Sequence, residues 1–520
     1  MSTITEQAAS GRASSTPQPT STQLAARAPS PVGTPRVAPD PRRWAALGII
    51  AIAQLMIVLD ATIVNIALPT MQRSLHISDV NKQWVITAYA LAFGSMLLLG
   101  GRIADFTGRK RAFIIGLVGF AAASALGGAA TNEAMLFSAR AVQGLFGALM
   151  APAALSLLTV TFTEANERAR AFGVYGAIAG GGSAIGLIMG GVLTQYASWR
   201  WTLLVNVPIA VLAAFAATRV LGESKAGGNT KYDIPGALTS TAGLAALVYG
   251  FNKANTAGWS SATTLSLLIG GIALLALFVL VELRATHPLL PMRVILDRNR
   301  GGSFLSSLLM GVGMFGVFVF LTYYMQQILG YSALKSGFAF LPFTGAVVLG
   351  AGVSTRFLPR FGPRILMFVG FVLATAGMVL FTRLGVHTAY ATHVVPAELV
   401  MAFGIGLFFV PLSSTALIGV ANHDAGVASA LVNTTQQIGG ALGTAMLVTF
   451  ATSATTNYLT THLSPTANAH ALAAQAAVHG YTVAFAWSAA ILATAAVVVG
   501  LLVKARRNDL AQQSNAVPIS

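Results

Sequence analysis

Residues 101–111 read Gly101-Arg102-Ile103-Ala104-Asp105-Phe106-Thr107-Gly108-Arg109-Lys110-Arg111 and lie between two long apolar runs. The stretch places four cations, one carboxylate and two glycines in a chain of which only 9% is charged. A short basic loop between two membrane spans lies on the cytoplasmic side, so this stretch predicts the orientation of the helices around it. Gly101 allows the flanking helices to approach each other, Gly108 allows a sharp turn, and Asp105 can pair with an arginine or cap a helix.

The composition predicts an integral membrane protein. The 520 residues are 55% hydrophobic, and their charged fraction is far below the roughly 25% of soluble domains. Apolar runs of roughly 20 residues recur along the chain, which indicates membrane-spanning helices rather than a barrel. The chain contains no cysteine, which excludes disulfides, thiolate metal sites and cysteine nucleophiles.

We predict an all-α protein with fourteen spans. Their approximate bounds are 45–68, 84–101, 112–131, 134–160, 170–193, 202–221, 234–251, 262–283, 303–327, 336–356, 364–384, 394–418, 426–451 and 480–503. Three histidines fall in the long loop predicted at about 452–479. Their spacing is irregular, so we expect no metal site there.

Most of the 31 Lys and Arg residues fall at one set of span ends. This asymmetry is typical of cytoplasmic loops, and an even number of spans places both termini on that side. It accounts for the net charge of +16 without a nucleic-acid partner. We therefore expect a multi-pass protein of the cytoplasmic (inner) membrane, in contact with membrane lipids and with both termini cytoplasmic.

Two predicted spans carry opposite charges at similar depth. Asp60 lies about 12 Å from the outer end of the first span and Arg140 about 10 Å from that of the fourth, at 1.5 Å per residue. A carboxylate inside a bilayer is costly and its default interpretation is functional, so a proton carrier is one hypothesis. The alternative is a fixed ion pair that only joins helices. Glu398 is a second candidate proton site, or an interfacial charge.

Four motifs resemble signatures of the major facilitator superfamily. Residues 101–111 resemble its loop signature, and residues 59–69 resemble the first-span signature of its drug:proton antiporter branch. Residues 140–144 resemble its R-x-x-Q-G motif, and a glycine-rich fifth span resembles its antiporter motif, with Leu187 where the family usually has proline. The fourteen spans resemble the EmrB/QacA-like members of that branch.

The resemblance implies two six-helix halves plus two extra central helices. Residues 352–364 weakly resemble residues 101–111, as expected if the second half repeats the structure of the first. The resulting division is a disordered N-terminal tail over 1–43, an N-terminal half over 44–222, two inserted helices with linkers over 223–300, a C-terminal half over 301–504 and a C-terminal tail over 505–520.

The resemblance and the polar residues of the spans together indicate candidate site residues. For proton coupling they are Asp60, Arg140 and Glu398. For a gating loop they are Gly101, Arg102, Asp105, Gly108, Arg109 and Lys110. For the antiporter glycine helix they are Gly176, Gly180, Gly182, Gly186, Gly190 and Gly191. For a substrate cavity they are Asn65, Gln143, Tyr323, Tyr324, Gln327, Asn433, Gln436 and Gln437. Helix-to-helix hydrogen bonding is the alternative for each of the polar residues.

The expected function is proton-coupled export of lipophilic, often cationic, drugs or metabolites by a monomer. Its partners would be protons and a small amphipathic substrate, and we expect no cofactor. The alternatives are a proton symporter that imports a nutrient, a non-transporting membrane receptor, and a membrane enzyme. Because no phosphate-binding loop or hydrolase motif occurs in the sequence, we predict that the protein is not an enzyme.

Overall fold

The computed structural model describes residues 41–162, 164–225, 233–285, 288–290, 292–420, 425–462 and 468–505. Throughout these ranges the regular structure is helical and contains no strand, which confirms the predicted all-α class. The tails predicted over 1–43 and 505–520 lie outside the described residues, apart from their innermost positions.

The described part of the chain contains sixteen α-helices. They are α1 Arg43–Ser74, α2 Trp84–Thr107, α3 Arg109–Gly128, α4 Glu133–Thr161, α5 Ala165–Tyr196, α6 Trp201–Leu204, α7 Asn206–Val220, α8 Ile234–Ala257, α9 Ala262–Arg284, α10 Met292–Ile295, α11 Arg298–Tyr323, α12 Ala333–Ala339, α13 Leu341–Phe381, α14 Val395–Ala416, α15 Ala425–His462 and α16 Ala469–Leu502. Single π-helical turns follow α11 at Tyr324–Ile328 and precede α14 at Tyr390–Val394.

Twelve helices in the described part of the chain are long and apolar enough to cross a membrane. One of them, Ala333–Phe381, has 49 residues and is broken at Gly362, whose φ of 76° and ψ of 167° are not helical. A further helix, α5, has 32 residues. The count of fourteen spans stays a prediction.

Two predicted loops are largely helical. α2 continues to Thr107 and α3 begins at Arg109, so only Gly108 interrupts the helices within 101–111. The predicted loop at 452–479 is shorter as well, because α15 extends to His462 and α16 begins at Ala469. The hydropathy pattern marks where apolar residues end, whereas a helix continues into water wherever its residues have adequate helix propensity.

The two predicted halves touch at several helix pairs. We call the end of the helices that carries residues 101–111 the basic end. At the other end, Gln326 Nε2 of the π-turn after α11 donates to Ile66 O of α1, over 2.9 Å. α5 packs there against α12, since a Cβ on Gly191 would lie 2.7 Å from Leu334 Cα. Nearer the middle, α2 packs against α15, and a Cβ on Gly94 would lie 3.1 Å from Gln437 Cβ.

Candidate functional site

Asp60 on α1 and Arg140 on α4 form a buried ion pair. Arg140 Nη1 lies 2.7 Å from Asp60 Oδ2, and the two side chains are 2% and 0% exposed respectively. The sequence placed both residues at similar depth, and the structure brings them into direct contact. A buried pair of this kind holds its charges only because each compensates the other.

Three further side chains complete the network around Asp60. Gln143 Nε2 donates to Asp60 Oδ1 over 2.7 Å and lies 2.6 Å from Ser124 Oγ, while Gln143 Oε1 accepts from Arg140 Nη1 over 2.6 Å. Asn206 Nδ2, from the first residue of α7, donates to the same Asp60 oxygen over 2.9 Å. The network therefore joins α1, α4 and α7 through one carboxylate, and α3 joins it through Ser124.

Helix α2 holds Arg140 independently of Asp60. Arg140 Nε donates to Val85 O over 3.0 Å, and its guanidinium carbon lies 4.5 Å from the centre of the Tyr89 ring. Glycine makes this possible, since a Cβ on Gly144 would lie only 2.5 Å from Tyr89 O and would push α4 away from α2. Arg140 thus keeps other partners if the charge on Asp60 is neutralised.

The structure adds three residues that sequence reasoning did not select, namely Ser124, Tyr89 and Asn206. Asn206 had a signal, because an amide within an apolar run needs a buried partner. Ser124 and Tyr89 had none, since small hydroxyl and aromatic side chains are ordinary in membrane helices. Gln143 was predicted for the substrate cavity; its amide donates to the Asp60 carboxylate, and its contact with substrate stays a prediction.

Glu398 lies apart from this network, in the first turn of α14. Its side chain is 0% exposed, and neither carboxyl oxygen has a hydrogen-bond partner among the described residues. Its part in proton transfer stays a prediction.

Three of the predicted cavity residues donate hydrogen bonds to other groups of the protein. The Tyr323 hydroxyl donates to Gln72 Oε1 of α1, and the Tyr324 hydroxyl donates to Gly385 O over 2.9 Å. Asn65 Nδ2 donates to Ala61 O of its own helix over 3.0 Å. Tyr323 therefore ties α11 to α1 at the end opposite to the basic end.

The other cavity candidates lie in three different places. Asn433 and Gln436 line a cavity of about 120 Å³ together with Phe409, Ser413, Leu417 and Val432. Gln327 lines a cavity of about 510 Å³ at the opposite end, together with Gln72, Arg73, His76, Ile77 and Asp79. Gln437 packs on α2. Contact of these residues with substrate stays a prediction.

Asp79, at the opposite-end cavity, keeps its negative charge. Burial by itself would raise the pKa of Asp79, but the Lys82 ammonium and a hydrogen bond from Gln72 lower this pKa by more. The ion pair with Lys82 spans 2.9 Å.

The predicted gating segment contacts α7 and two residues that follow it, Glu223 and Pro288. Gly108 has a φ of 116°, and a Cβ there would lie 2.6 Å from Glu223 Oε1. Asp105 pairs with Arg109 over 2.9 Å, rather than with another part of the bundle. Lys110 Nζ donates to Thr218 O over 2.9 Å, and Arg102 Nη2 donates to Pro288 O over 3.2 Å. Gly101 lies near Pro152, with 3.5 Å between its would-be Cβ and the proline Cβ.

The glycines of α5 allow close approach to two helices. A Cβ on Gly186 would lie 2.0 Å from Thr62 Oγ1, and one on Gly190 would lie 2.7 Å from Ile63 O. Gly182 faces Val58 of the same helix, α1, whereas Gly191 faces α12. Gly176 and Gly180 lie within α5, but their surroundings fall outside what the structure describes.

The sequence matches one protein family over most of its length. Residues 50–444 match the family described as the Major Facilitator Superfamily. The chain is 49% identical over 472 residues to the puromycin resistance protein of Streptomyces alboniger, covering 90% of this chain and 93% of that protein. It is 39% identical over 414 residues to the cephamycin export protein of Amycolatopsis lactamdurans, covering 79% and 85%.

A third relative is the tetracenomycin C resistance and export protein of Streptomyces glaucescens. It is 35% identical over 410 residues, which cover 78% of this chain and 75% of that protein. Among solved structures, a bacterial homologue of the human lysosomal transporter Spinster, inward-facing and unoccupied, has a TM-score of 0.62. The alignment covers 91% of this chain and 98% of that one at 14% identity, so this likeness concerns the fold alone.

Proposed function

The chain belongs to the Major Facilitator Superfamily, and from that premise we propose that it is a proton-coupled antiporter. It exports lipophilic, often cationic, drugs or metabolites across the cytoplasmic membrane. Residues 44–222 and 301–504 form its two halves, with residues 223–300 inserted between them. The family and the names of the relatives are those of transporters rather than of enzymes.

The names of the relatives support export over import. Three of them are named for resistance to puromycin, for export of cephamycin, and for both resistance to and export of tetracenomycin C. Resistance by transport requires that the compound leave the cell. A drug efflux transporter is therefore the function that these similarities favour.

The observation that carries the proton coupling is the buried Asp60–Arg140 pair. Leaving one charge of such a pair uncompensated costs about 3–5 kcal/mol. A change of about 5.5 kcal/mol converts a two-state equilibrium from 1:99 to 99:1. Protonation of Asp60 is thus an event of the right size to drive a conformational change.

The route from protonation to movement runs through α1. When Asp60 binds a proton it loses its charge, while Arg140 keeps Val85 O and Gln143 Oε1 as acceptors. The hold of α1 on α4 and α7 weakens, and α1 also packs against α5 and touches the turn after α11. Proton binding favours the state in which α1 is released from α4 and α7, and substrate binding favours the state in which α1 is held by them. Transport is therefore an exchange of substrate for protons.

The test is efflux of ethidium from energised cells, with and without a protonophore. The variants are Asp60→Asn and, as a matched control, Asp297→Asn, which removes a carboxylate charge outside the network and outside both cavities. We expect protonophore-sensitive efflux by the unchanged protein, a loss of at least tenfold in Asp60→Asn, and near-normal efflux in Asp297→Asn. Membrane levels of each protein are compared by immunoblot.

Three outcomes contradict the proposal. Normal, protonophore-sensitive efflux in Asp60→Asn would move the proton site elsewhere, with Glu398 as the next candidate. Failure of Asp60→Asn to insert, while Asp297→Asn inserts, would favour a purely structural ion pair. Uptake rather than extrusion of the probe by right-side-out vesicles would favour the symporter.

A further inference from the structure

The helices α8 and α9 carry two buried carboxyl groups at the basic end. Asp233 precedes α8 and is 8% exposed, and Glu282 lies near the end of α9 and is 3% exposed. Neither belongs to the Asp60 network. A carboxylate this deeply buried needs a compensating partner.

In each of these carboxyl groups, only one of the two oxygens accepts a hydrogen bond. Asp233 Oδ1 accepts from the Gly236 backbone N–H over 2.8 Å and caps α8. Glu282 Oε2 accepts from the Leu290 backbone N–H over 3.0 Å. The other oxygens, Asp233 Oδ2 and Glu282 Oε1, are buried without a hydrogen-bond partner in the described chain.

The two free oxygens face the same small space. A Cβ on Gly236 would lie 2.7 Å from Asp233 Oδ2 and 2.8 Å from Glu282 Oε1. The glycine is therefore what allows the carboxyl groups to approach each other. Two carboxylates in one site cannot both hold a charge without strong repulsion. A single proton between them resolves this, because the protonated group donates and the other accepts.

We propose that Asp233 and Glu282 bind one proton between them and form a second proton site, in the two inserted helices and separate from Asp60. The proton comes from and returns to water at the basic end. This inference does not depend on the proposed drug export.

The surroundings of the pair link it to the gating segment. Among the residues that the structure describes, Arg102 of α2 is the basic side chain that interacts with Glu282, whereas Arg284 on α9 is exposed. α15, the other helix packed on α8, has no charged side chain except His462 at its far end. Arg102 binds Pro288 O, two residues before the Leu290 N–H that Glu282 holds.

Loss of the shared proton adds a negative charge beside Arg102. The guanidinium is then drawn from Pro288 O toward the carboxylates, because an ionic partner is stronger than a carbonyl. The position of the segment 101–111 would thus depend on pH at the basic end. Transport by the protein would acquire a pH dependence that Asp60 does not cause.

Amide variants test the proposal. Glu282→Gln and Asp233→Asn each place an N–H where the shared proton would lie, and each keeps its acceptor for Leu290 or Gly236. The matched control is Asp297→Asn. The native Asp297 caps α11 by accepting hydrogen bonds from the Asn299 and Arg300 backbone N–H groups. The measurement is the melting temperature of the purified full-length protein against pH, and the infrared band of protonated carboxyl groups.

We expect the melting temperature of the unchanged protein to fall as pH rises through the titration of the pair. Each amide variant should lack this step, the double variant should show no further change, and Asp297→Asn should keep it. The carboxyl infrared band should weaken in the amide variants and persist in the control. Gly236→Ala, which inserts a methyl group between the oxygens, should also remove the step.

The proposal is overturned if both amide variants keep the pH step and the infrared band of the unchanged protein. It is also overturned if the step follows the sodium or potassium concentration at constant pH, because a metal cation would then occupy the site. Neither readout uses transport, so failure here is distinguishable from failure of the export function.

Discussion

Asn206 and Gln143 donate to the same oxygen of Asp60, so each determines how well the charged carboxylate is stabilised. Replacing Asn206 with Ala removes one of these donors and leaves a buried acceptor less satisfied. The expected loss of stability is about 1–3 kcal/mol. Because this donor binds the carboxylate that we propose couples transport to protons, efflux should fall as well.

The matched control for this prediction is Asn252→Ala. Asn252 is also buried, and its amide donates to Val80 O over 3.1 Å, away from Asp60. Thermal unfolding of both variants should show similar losses of stability, whereas only Asn206→Ala should lower efflux. Equal efflux by the two variants would mean that Asn206 serves structure alone.

At this scale the sequence predicted the centre of the network but not its periphery. The depth of two charges in their spans is a matter of residue counting, and Arg140 and Gln143 share a helix face by periodicity. Which residues of α3 and α7 join the network depends on the rotation of those helices about their axes. That rotation is set by packing among many apolar side chains, and so Ser124 had no sequence signal.

Among the helices, the pair of α1 and α5 is packed through glycine. A methyl group at Gly190 would lie 2.7 Å from the Ile63 carbonyl oxygen, and a backbone atom cannot move aside as a side chain can. We expect Gly190→Ala to cost about 1–3 kcal/mol through overpacking. Thermal unfolding in detergent measures it.

Gly48→Ala is the control in the same pair of helices. Gly48 lies within α1, and a Cβ there meets nothing within 4 Å. Since Ala is the better helix former, this change should stabilise the protein by up to about 1 kcal/mol. Equal effects at the two positions would contradict the close α1–α5 contact.

Helix boundaries were less predictable than helix identity. The internal similarity between 101–111 and 352–364 has a structural counterpart, because Gly108 and Gly362 both have positive φ, 116° and 76°. In each place one residue in a conformation that favours glycine separates two helices. Hydropathy could not show that the flanking charged residues are helical.

For the whole molecule, α12 and α5 are in backbone contact at the end opposite to the basic end. A Cβ on Gly337 of α12 would lie 2.5 Å from Leu187 O of α5. Gly337→Ala should therefore separate α5 from α12 and favour the state that is open at this end. Since the chain has no native cysteine, spin labels at Ala197→Cys and Lys335→Cys report the distance between these helices without background.

Double electron–electron resonance should show a longer distance in Gly337→Ala than in the labelled parent. Gly345→Ala, where a Cβ meets nothing within 4 Å, should leave the distribution unchanged. A parent-like distribution in Gly337→Ala would show that the contact does not hold this end closed.

The architecture itself was readable from composition, span length and four motifs, and the family match over residues 50–444 agrees with it. The substrate-contacting residues could not be read from the sequence, because a polar side chain inside a span forms hydrogen bonds equally well with another helix or with a ligand. Tyr323 illustrates the ambiguity, since its hydroxyl joins α11 to α1.

The isolation of the Asp60 network has an evolutionary consequence. Asp60, Arg140, Gln143, Ser124 and Asn206 are at most 2% exposed, and none of them lines either cavity. Under the proposed function, selection therefore acts separately on the residues that couple transport to the proton gradient and on the residues that contact the substrate. Descendant proteins can diverge in substrate through replacements near Asn433 and Gln436, while the Asp60 network is inherited unchanged.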